Sequence, residues 1–215
     1  MEIKIKDPVS ALTHFIAMIL ALIAAIPLLI KASSDGGLHL AALTVFIISM
    51  VFLYAASTIY HTLDVSPKIN RLLKKIDHMM IFILIAGTYT PICLIVLGDK
   101  TGWSLLALVW GIAISGIIIK ACFIMCPKWF SSSLYIAMGW VCILAYSKIT
   151  ETLSSAGFLW LLAGGIIYTI GGIIYALKLP LFNAKHKSFG SHEIFHLFVM
   201  GGSLCHYILM YHFVA

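Results

Sequence analysis

The stretch LHLAALTVFIISMVFLYAASTIYH, residues 38–61, contains no Asp, Glu, Lys or Arg. A helix crosses the ~30 Å hydrocarbon core of a bilayer with about 20 predominantly apolar residues, and this run is long enough to do so. The same reading repeats outward in both directions. Apolar runs separated by polar breaks predict helices near 10–30, 38–61, 76–97, 103–124, 131–149, 157–177 and 191–213. The breaks carry turn-forming residues, as in Ser33-Ser34-Asp35-Gly36-Gly37, Gly98-Asp99-Lys100-Thr101-Gly102 and Leu179-Pro180-Leu181-Phe182-Asn183. The first run, residues 15–30, has no clear small-x-small cleavage site and exceeds a usual signal-peptide core, so it reads as a membrane helix.

Composition requires the same solvent. Of 215 residues, 62% are hydrophobic and 10% charged, too few polar groups to cover a water-soluble core. Seven spans use roughly 140 residues and leave only short loops. The expectation is one all-α domain over residues 1–215, a seven-transmembrane helix bundle with any active site among its helices. The net charge of +6 is scattered over inter-helix loops, which excludes a nucleic-acid-binding face and points to lipid headgroups. The five cysteines, Cys93, Cys122, Cys126, Cys142 and Cys205, fall mostly in apolar runs. The Cys122/Cys126 spacing lacks a second pair, so they read as small core residues.

Lys and Arg divide unevenly between the two sides. Lys4, Lys6, Lys68, Arg71, Lys74, Lys75, Lys120, Lys128, Lys178, Lys185 and Lys187 fall on one side; Lys31, Lys100 and Lys148 fall on the other. The positive-inside rule then puts the N-terminus in the cytoplasm and the C-terminus outside. Trp103, Trp160 and Tyr211 near one interface, and Trp129 near the other, fit aromatic belts. In the sixth span, Gly164-Gly165-Ile166-Ile167-Tyr168 recurs as Gly171-Gly172-Ile173-Ile174-Tyr175, presenting small residues where another helix can approach.

Ionisable groups inside membrane spans are expensive, and each is a functional candidate. His192 and His196 stand at i and i+4 of the last span, on one face and about one turn apart, a spacing that lets two imidazoles share a metal. His61 ends the second span and Asp77 begins the third, and all four lie at the cytoplasmic edge. Three histidines with an open position form the ligand set of a catalytic zinc. Zinc would bring its bound water to a pKa of about 7, with Asp77 to hold that water or take its proton. Ser57, one turn before His61, would donate a hydrogen bond to the water or to the developing oxyanion.

Other readings compete with this one. His192-Glu193-Ile194-Phe195-His196 is a literal H-E-x-x-H, the metalloprotease signature in which Glu is the base. That chemistry wants a further ligand, usually acidic, and the 19 residues after His196 contain no Asp or Glu. His39, His186 and His212 read as interfacial histidines. His78 points about 100° away from Asp77 and reads as packing against a neighbour. His206 lies about 15 Å beyond His196 along the helix, too far for the same metal, and reads as a buried hydrogen-bonding group.

The chain also resembles a known family, the hemolysin III proteins of the progestin and adipoQ receptor (PAQR) superfamily, over essentially its whole length. Ser57-Thr58-Ile59-Tyr60-His61 resembles the family's S-x-x-x-H closing helix two, Asp77 its aspartate opening helix three, and Ser191-His192-Glu193-Ile194-Phe195-His196 its final S-H-x-x-x-H. Ala86-Gly87-Thr88-Tyr89-Thr90-Pro91 and Ser10-Ala11-Leu12-Thr13-His14 resemble two further elements, although Asp7 stands where the family often has Glu and Phe15 where it often has Gly. The resemblance implies a seven-helix bundle of inverted topology relative to G-protein-coupled receptors. It also implies zinc held by His61, His192 and His196, Asp77 reaching the metal through water, and Ser57 lining the site.

The wider group includes adiponectin receptors and is similar to alkaline ceramidases, which implies hydrolysis of a lipid amide or ester in a bacterial cell (inner) membrane. Non-catalytic sensing of a lipid or of membrane fluidity is a second expectation. A haemolytic pore is a third, which the shortage of polar residues in mid-bilayer opposes.

Overall fold

The computed structural model describes residues 5–122, 127–177 and 189–215. Lys4, Cys126, Lys178, Lys185, Lys187, His186, the far end of the fourth predicted helix and the predicted break at 179–183 lie outside the described residues. Seven segments among the described residues are helical, long and apolar enough to cross a membrane. The spans are formed by α1 (Pro8–Ser34), α2 (Gly37–Thr62), α3 (Pro67–Pro91), α4 (Lys100–Cys122), α5 (Lys128–Gly139) with α6 (Tyr146–Thr152), α7 (Ser155–Leu177) and α8 (Ser191–Leu209). Helix is the structure that lipid dictates, since each backbone N–H and C=O must find its partner within the segment. Leu20, Ile23, Phe52, Ile118, Leu144 and Leu159 point out of the bundle, as suits a surface wetted by acyl chains.

Helix α3 departs from expectation. It starts at Pro67, well before the predicted 76, because Ser66 caps it: the Ser66 hydroxyl accepts from the Ile69 N–H at 3.3 Å, and Pro67 occupies the first turn, where a missing N–H costs nothing. The added turns are polar and escape a search for apolar runs. Asp77 therefore lies about three turns into α3 instead of opening it.

The fifth span is broken where the sequence predicted one helix. Between α5 and α6 the chain tightens into a 3-10 stretch, Trp140–Ala145. The polar groups freed at the break are met by one side chain: the Tyr89 hydroxyl donates to the Gly139 carbonyl at 2.7 Å and accepts from the Cys142 N–H at 2.8 Å. Trp140 Nε1 also donates to Thr169 Oγ1 of α7 at 2.9 Å. The Ala86–Pro91 motif thus braces a neighbouring span, and beyond Pro91 the chain makes a π-helical turn, Ile92–Leu97, closed by Gly98 in the left-handed region at φ 60°.

In the bundle α1 packs on α2 and α8, α2 on α3, and α7 on α8. Glycines permit the closest approaches. A Cβ on Gly87 would come within 2.2 Å of Ser49 Oγ, and one on Gly171 within 2.6 Å of the Phe198 Cβ. The Gly-Gly repeat of α7 is therefore an interface as expected, except at Gly165, where a Cβ would meet nothing within 4 Å. Of the cysteines, Cys93 and Cys205 are buried core residues, Cys142 is half-buried, and Cys122 is exposed.

Gly87→Val will force α2 and α3 apart and cost about 1–3 kcal/mol, the usual penalty of overpacking. Thermal unfolding in detergent should show a lowered midpoint for this variant and an unchanged one for Gly111→Ala, whose Cβ meets open space.

Candidate metal centre

The chain ahead of α1 is fastened to the end of α2 by its backbone. Asp7 N–H donates to the His61 carbonyl at 2.9 Å, and Lys6 N–H to the Thr62 carbonyl at 3.4 Å. Lys6 Nζ donates to the Tyr60 carbonyl at 3.2 Å and lies 3.4 Å from the centre of the Tyr60 ring. Burial lowers its pKa, against the raising effect of Asp7 beside it. This clamp sets the Asp7 carboxylate on the His61 ring, with Oδ2 accepting from Nδ1 at 2.9 Å. A carboxylate on one imidazole nitrogen fixes the tautomer and leaves Nε2 as a lone-pair donor.

On α8 the helical repeat brings His192 and His196 to one side, their ring centroids 4.5 Å apart. His192 Nε2 lies 3.1 Å from His61 Nε2, and His61 and His196 have centroids 5.1 Å apart. His196 Nδ1 is 3.3 Å from the Thr13 hydroxyl of α1, which leaves its Nε2 for the cluster. One ligand nitrogen from each of the three rings lies within 4.8 Å of the others, with His61 and His196 buried and His192 half-buried. Three imidazole nitrogens are a donor set that suits a divalent transition metal. A tetrahedral ion with bonds of about 2.0–2.1 Å holds its ligand nitrogens about 3.3 Å apart, close to the His61–His192 separation. The His61/His192/His196 cluster could bind a metal ion.

The glutamate between the two α8 histidines serves another purpose. Glu193 Oε2 accepts the Gly190 N–H at 2.8 Å at the start of α8, and Oε1 accepts the Ser10 hydroxyl of α1 at 2.8 Å. Both oxygens are used in capping the helix and tying it to α1, which agrees with setting the metalloprotease reading aside.

Asp77 and Ser57 are buried in the same cavity wall as His192 and His196, with the Ser57 hydroxyl beside the Asp77 carboxyl. His78, expected to pack away from Asp77, also lines that wall: its Nδ1 donates to the Lys74 carbonyl at 2.8 Å and is 3.5 Å from Asp77 Oδ2. His14 enters from α1. Its ring lies flat on His196, centroids 3.6 Å apart and planes 10° from parallel, and meets the edge of Tyr54 at 5.0 Å. From this cluster a single cavity of about 310 Å³, walled largely by aliphatic and aromatic side chains, runs between α3, α5, α7 and α8 as far as Tyr146 and Phe158.

With this arrangement, comparison with known proteins is direct. A family model described as haemolysin-III related matches residues 3–207. The chain belongs to the haemolysin III family. It is 43% identical over 199 residues to Hemolysin-3 of Bacillus cereus, covering 92% of this chain and 87% of that one. It is 38% identical over 201 residues to the Hemolysin-3 homolog of Bacillus subtilis, covering 93% and 90%. More distantly, it is 25% identical over 197 residues to the adiponectin receptor protein of Drosophila melanogaster, covering 75% of this chain and 40% of that protein.

This haemolysin III protein has supporting residues around the cluster that sequence reading did not assign. Asp7 stood out only as a substitution in the N-terminal motif, and Thr13 only as part of it. Their contacts reach across 54 and 183 residues, beyond any local pattern. The one available signal was that both belong to a motif rich in hydrogen-bonding groups next to an apolar span.

Asp7→Ala frees the His61 ring while leaving three imidazoles. It should lower affinity for a divalent transition metal about 10- to 100-fold, as loss of an outer carboxylate does elsewhere, measured by competition with a chelator of known affinity.

Proposed function

We propose that this haemolysin III protein is a zinc-dependent hydrolase of lipid amide or ester bonds, a single-domain enzyme of the bacterial inner membrane with its N-terminus in the cytoplasm. One observation carries the reading: two histidines of the three-histidine cluster, His192 and His196, line one largely apolar cavity of about 310 Å³ together with the buried Asp77 carboxyl and the buried Ser57 hydroxyl. The 11 to 3 division of Lys and Arg supports the orientation.

His61, His192 and His196 would hold the zinc, with Asp7 and Thr13 orienting two of the three rings. When bound, zinc supplies Lewis acidity that polarises a carbonyl and acidifies water. Asp77 accepts a proton from the attacking water, at a carboxylate held beside the Ser57 hydroxyl. Ser57 donates a hydrogen bond to the oxygen on which negative charge develops. The walls of the cavity align the acyl chain and keep bulk water from it, so the scissile carbonyl stays at the histidine end.

The same cavity would serve a sensor that binds a lipid without turning it over, and the similarity to a protein called a receptor favours that as the second reading. The two separate by experiment. Purified protein is analysed for metal and incubated with ceramides and phospholipids while released fatty acid is measured. About one zinc per chain with chelator-sensitive release supports the hydrolase; zinc without release from any lipid leaves the sensor.

Three variants sharpen the assignment. His192→Ala should lose stoichiometric zinc and still insert in the membrane, and retained zinc would contradict its role as ligand. Asp77→Asn should keep most of the metal and lose about 10²- to 10⁴-fold in turnover, the range of general acid–base catalysis. Gly165→Leu, at a cavity-lining position where a Cβ meets nothing within 4 Å, should abolish release from long-chain lipids with zinc content unchanged.

A further inference from the structure

Past the histidine cluster the cavity follows one face of α8. His192, His196, Val199 and His206 line it, at positions i, i+4, i+7 and i+14. His206 is ten residues beyond His196, about 15 Å farther along the helix axis and deep within the span. Most polar side chains in that part of the wall are committed to the protein. Thr88 donates to the Leu84 carbonyl at 2.8 Å, Thr169 to the Gly165 carbonyl at 2.7 Å, and Tyr89 bridges the break in the fifth span.

His206 is different. It is 6% exposed, and its Nδ1 has no hydrogen-bond partner among the described residues. A buried, unsatisfied ring nitrogen costs stability, so a group kept in that state is a strong candidate for a ligand partner. The ring is also held in place. It sits over Gly164, where a Cβ would approach Nε2 to 2.6 Å, and it stacks on Tyr168 with centroids 5.4 Å apart and planes at 17°. Tyr168 is fixed in turn by its hydroxyl, 2.8 Å from Ser203 Oγ, which accepts from the Tyr54 hydroxyl at 2.7 Å. The nearby hydroxyls bond one another and not the imidazole Nδ1, and the ring is part of the cavity wall.

We propose that His206 is a second polar subsite, which recognises a hydroxyl or oxo group carried partway along the hydrocarbon chain of the bound lipid. An extended chain advances about 1.25 Å per carbon, given C–C bonds of about 1.5 Å, so 15 Å places that group about twelve carbons from the end held at the histidine cluster. The ligand class is a long-chain lipid oxygenated in mid-chain. This rests on the reading of the cavity as a lipid channel, although it requires no turnover.

The test is competitive binding. Purified protein in detergent is mixed with equal amounts of stearic acid and 12-hydroxystearic acid, and the retained lipid is weighed by native mass spectrometry, with 2-hydroxystearic acid as a positional control. Wild type should prefer the 12-hydroxy acid about tenfold, the scale of one buried hydrogen bond, and show no such preference for the 2-hydroxy acid. His206→Phe keeps the ring stack and should bind stearate as before with the preference gone; His206→Gln retains a donor and an acceptor and should keep part of it. Matching thermal midpoints establish that the variants are folded. Equal retention of stearate and 12-hydroxystearate by wild type, or a preference that survives in His206→Phe, overturns the subsite and leaves the channel standing. If neither acid is retained, the channel reading fails and the subsite with it. A His206-dependent preference in a protein that hydrolyses no lipid upholds the subsite and removes only the hydrolase.

Discussion

Hydrocarbon offers no hydrogen bonds, so a polar group inside a bilayer is paired within the protein, reserved for a ligand, or left at a cost. That constraint organises the molecule. Where the fifth span breaks, Tyr89 takes both the freed carbonyl and the freed amide. Where α8 begins, Glu193 caps Gly190 with one oxygen and anchors Ser10 with the other. Polar side chains here mark the joints between helices, and apolar packing fills the space between joints.

Seen this way, the histidine cluster is expensive to assemble and well supported. Three imidazoles with ligand nitrogens inside 4.8 Å of one another come from α2 and α8, and Asp7 ahead of α1 and Thr13 within it contribute the groups that orient two of them. Asp7 reaches His61 because two backbone hydrogen bonds sew the chain before α1 to the end of α2. Thr13 and Ser10 reach α8 from the first turns of α1. The N-terminal segment is thereby part of the site's scaffold. The cavity lined by His192 and His196 runs from the cluster into the interior of the bundle.

The membrane-spanning pattern was plain in the chain because it is local: each apolar run reports its own solvent. The i, i+4 pair His192/His196 was equally plain, since one helical turn determines that both rings share a face. Depth brought in His61 and Asp77, because equal distance from a membrane edge follows from counting residues, and Ser57 followed as the residue one turn before His61 on the same face. Reading failed where polarity hid helix, as in the turns from Pro67 that carry Asp77 inward, and where an apolar run hid a break, as at Gly139. It also ascribed to His78 a packing role, whereas the folded chain sets that ring beside Asp77.

The sequence by itself determined the solvent, the number of spans and the shared face of His192 and His196, because hydropathy and helical periodicity act within a single segment. Tertiary structure alone decided which side chains support those residues, that Glu193 is a tether and Asp7 an orienting carboxylate, and that His206 faces the same cavity as His196. Those assignments depend on which helices lie side by side and how each is rotated. Rotation and adjacency arise from close contacts such as Gly87 on Ser49 and Gly164 under His206, made between residues far apart in the chain.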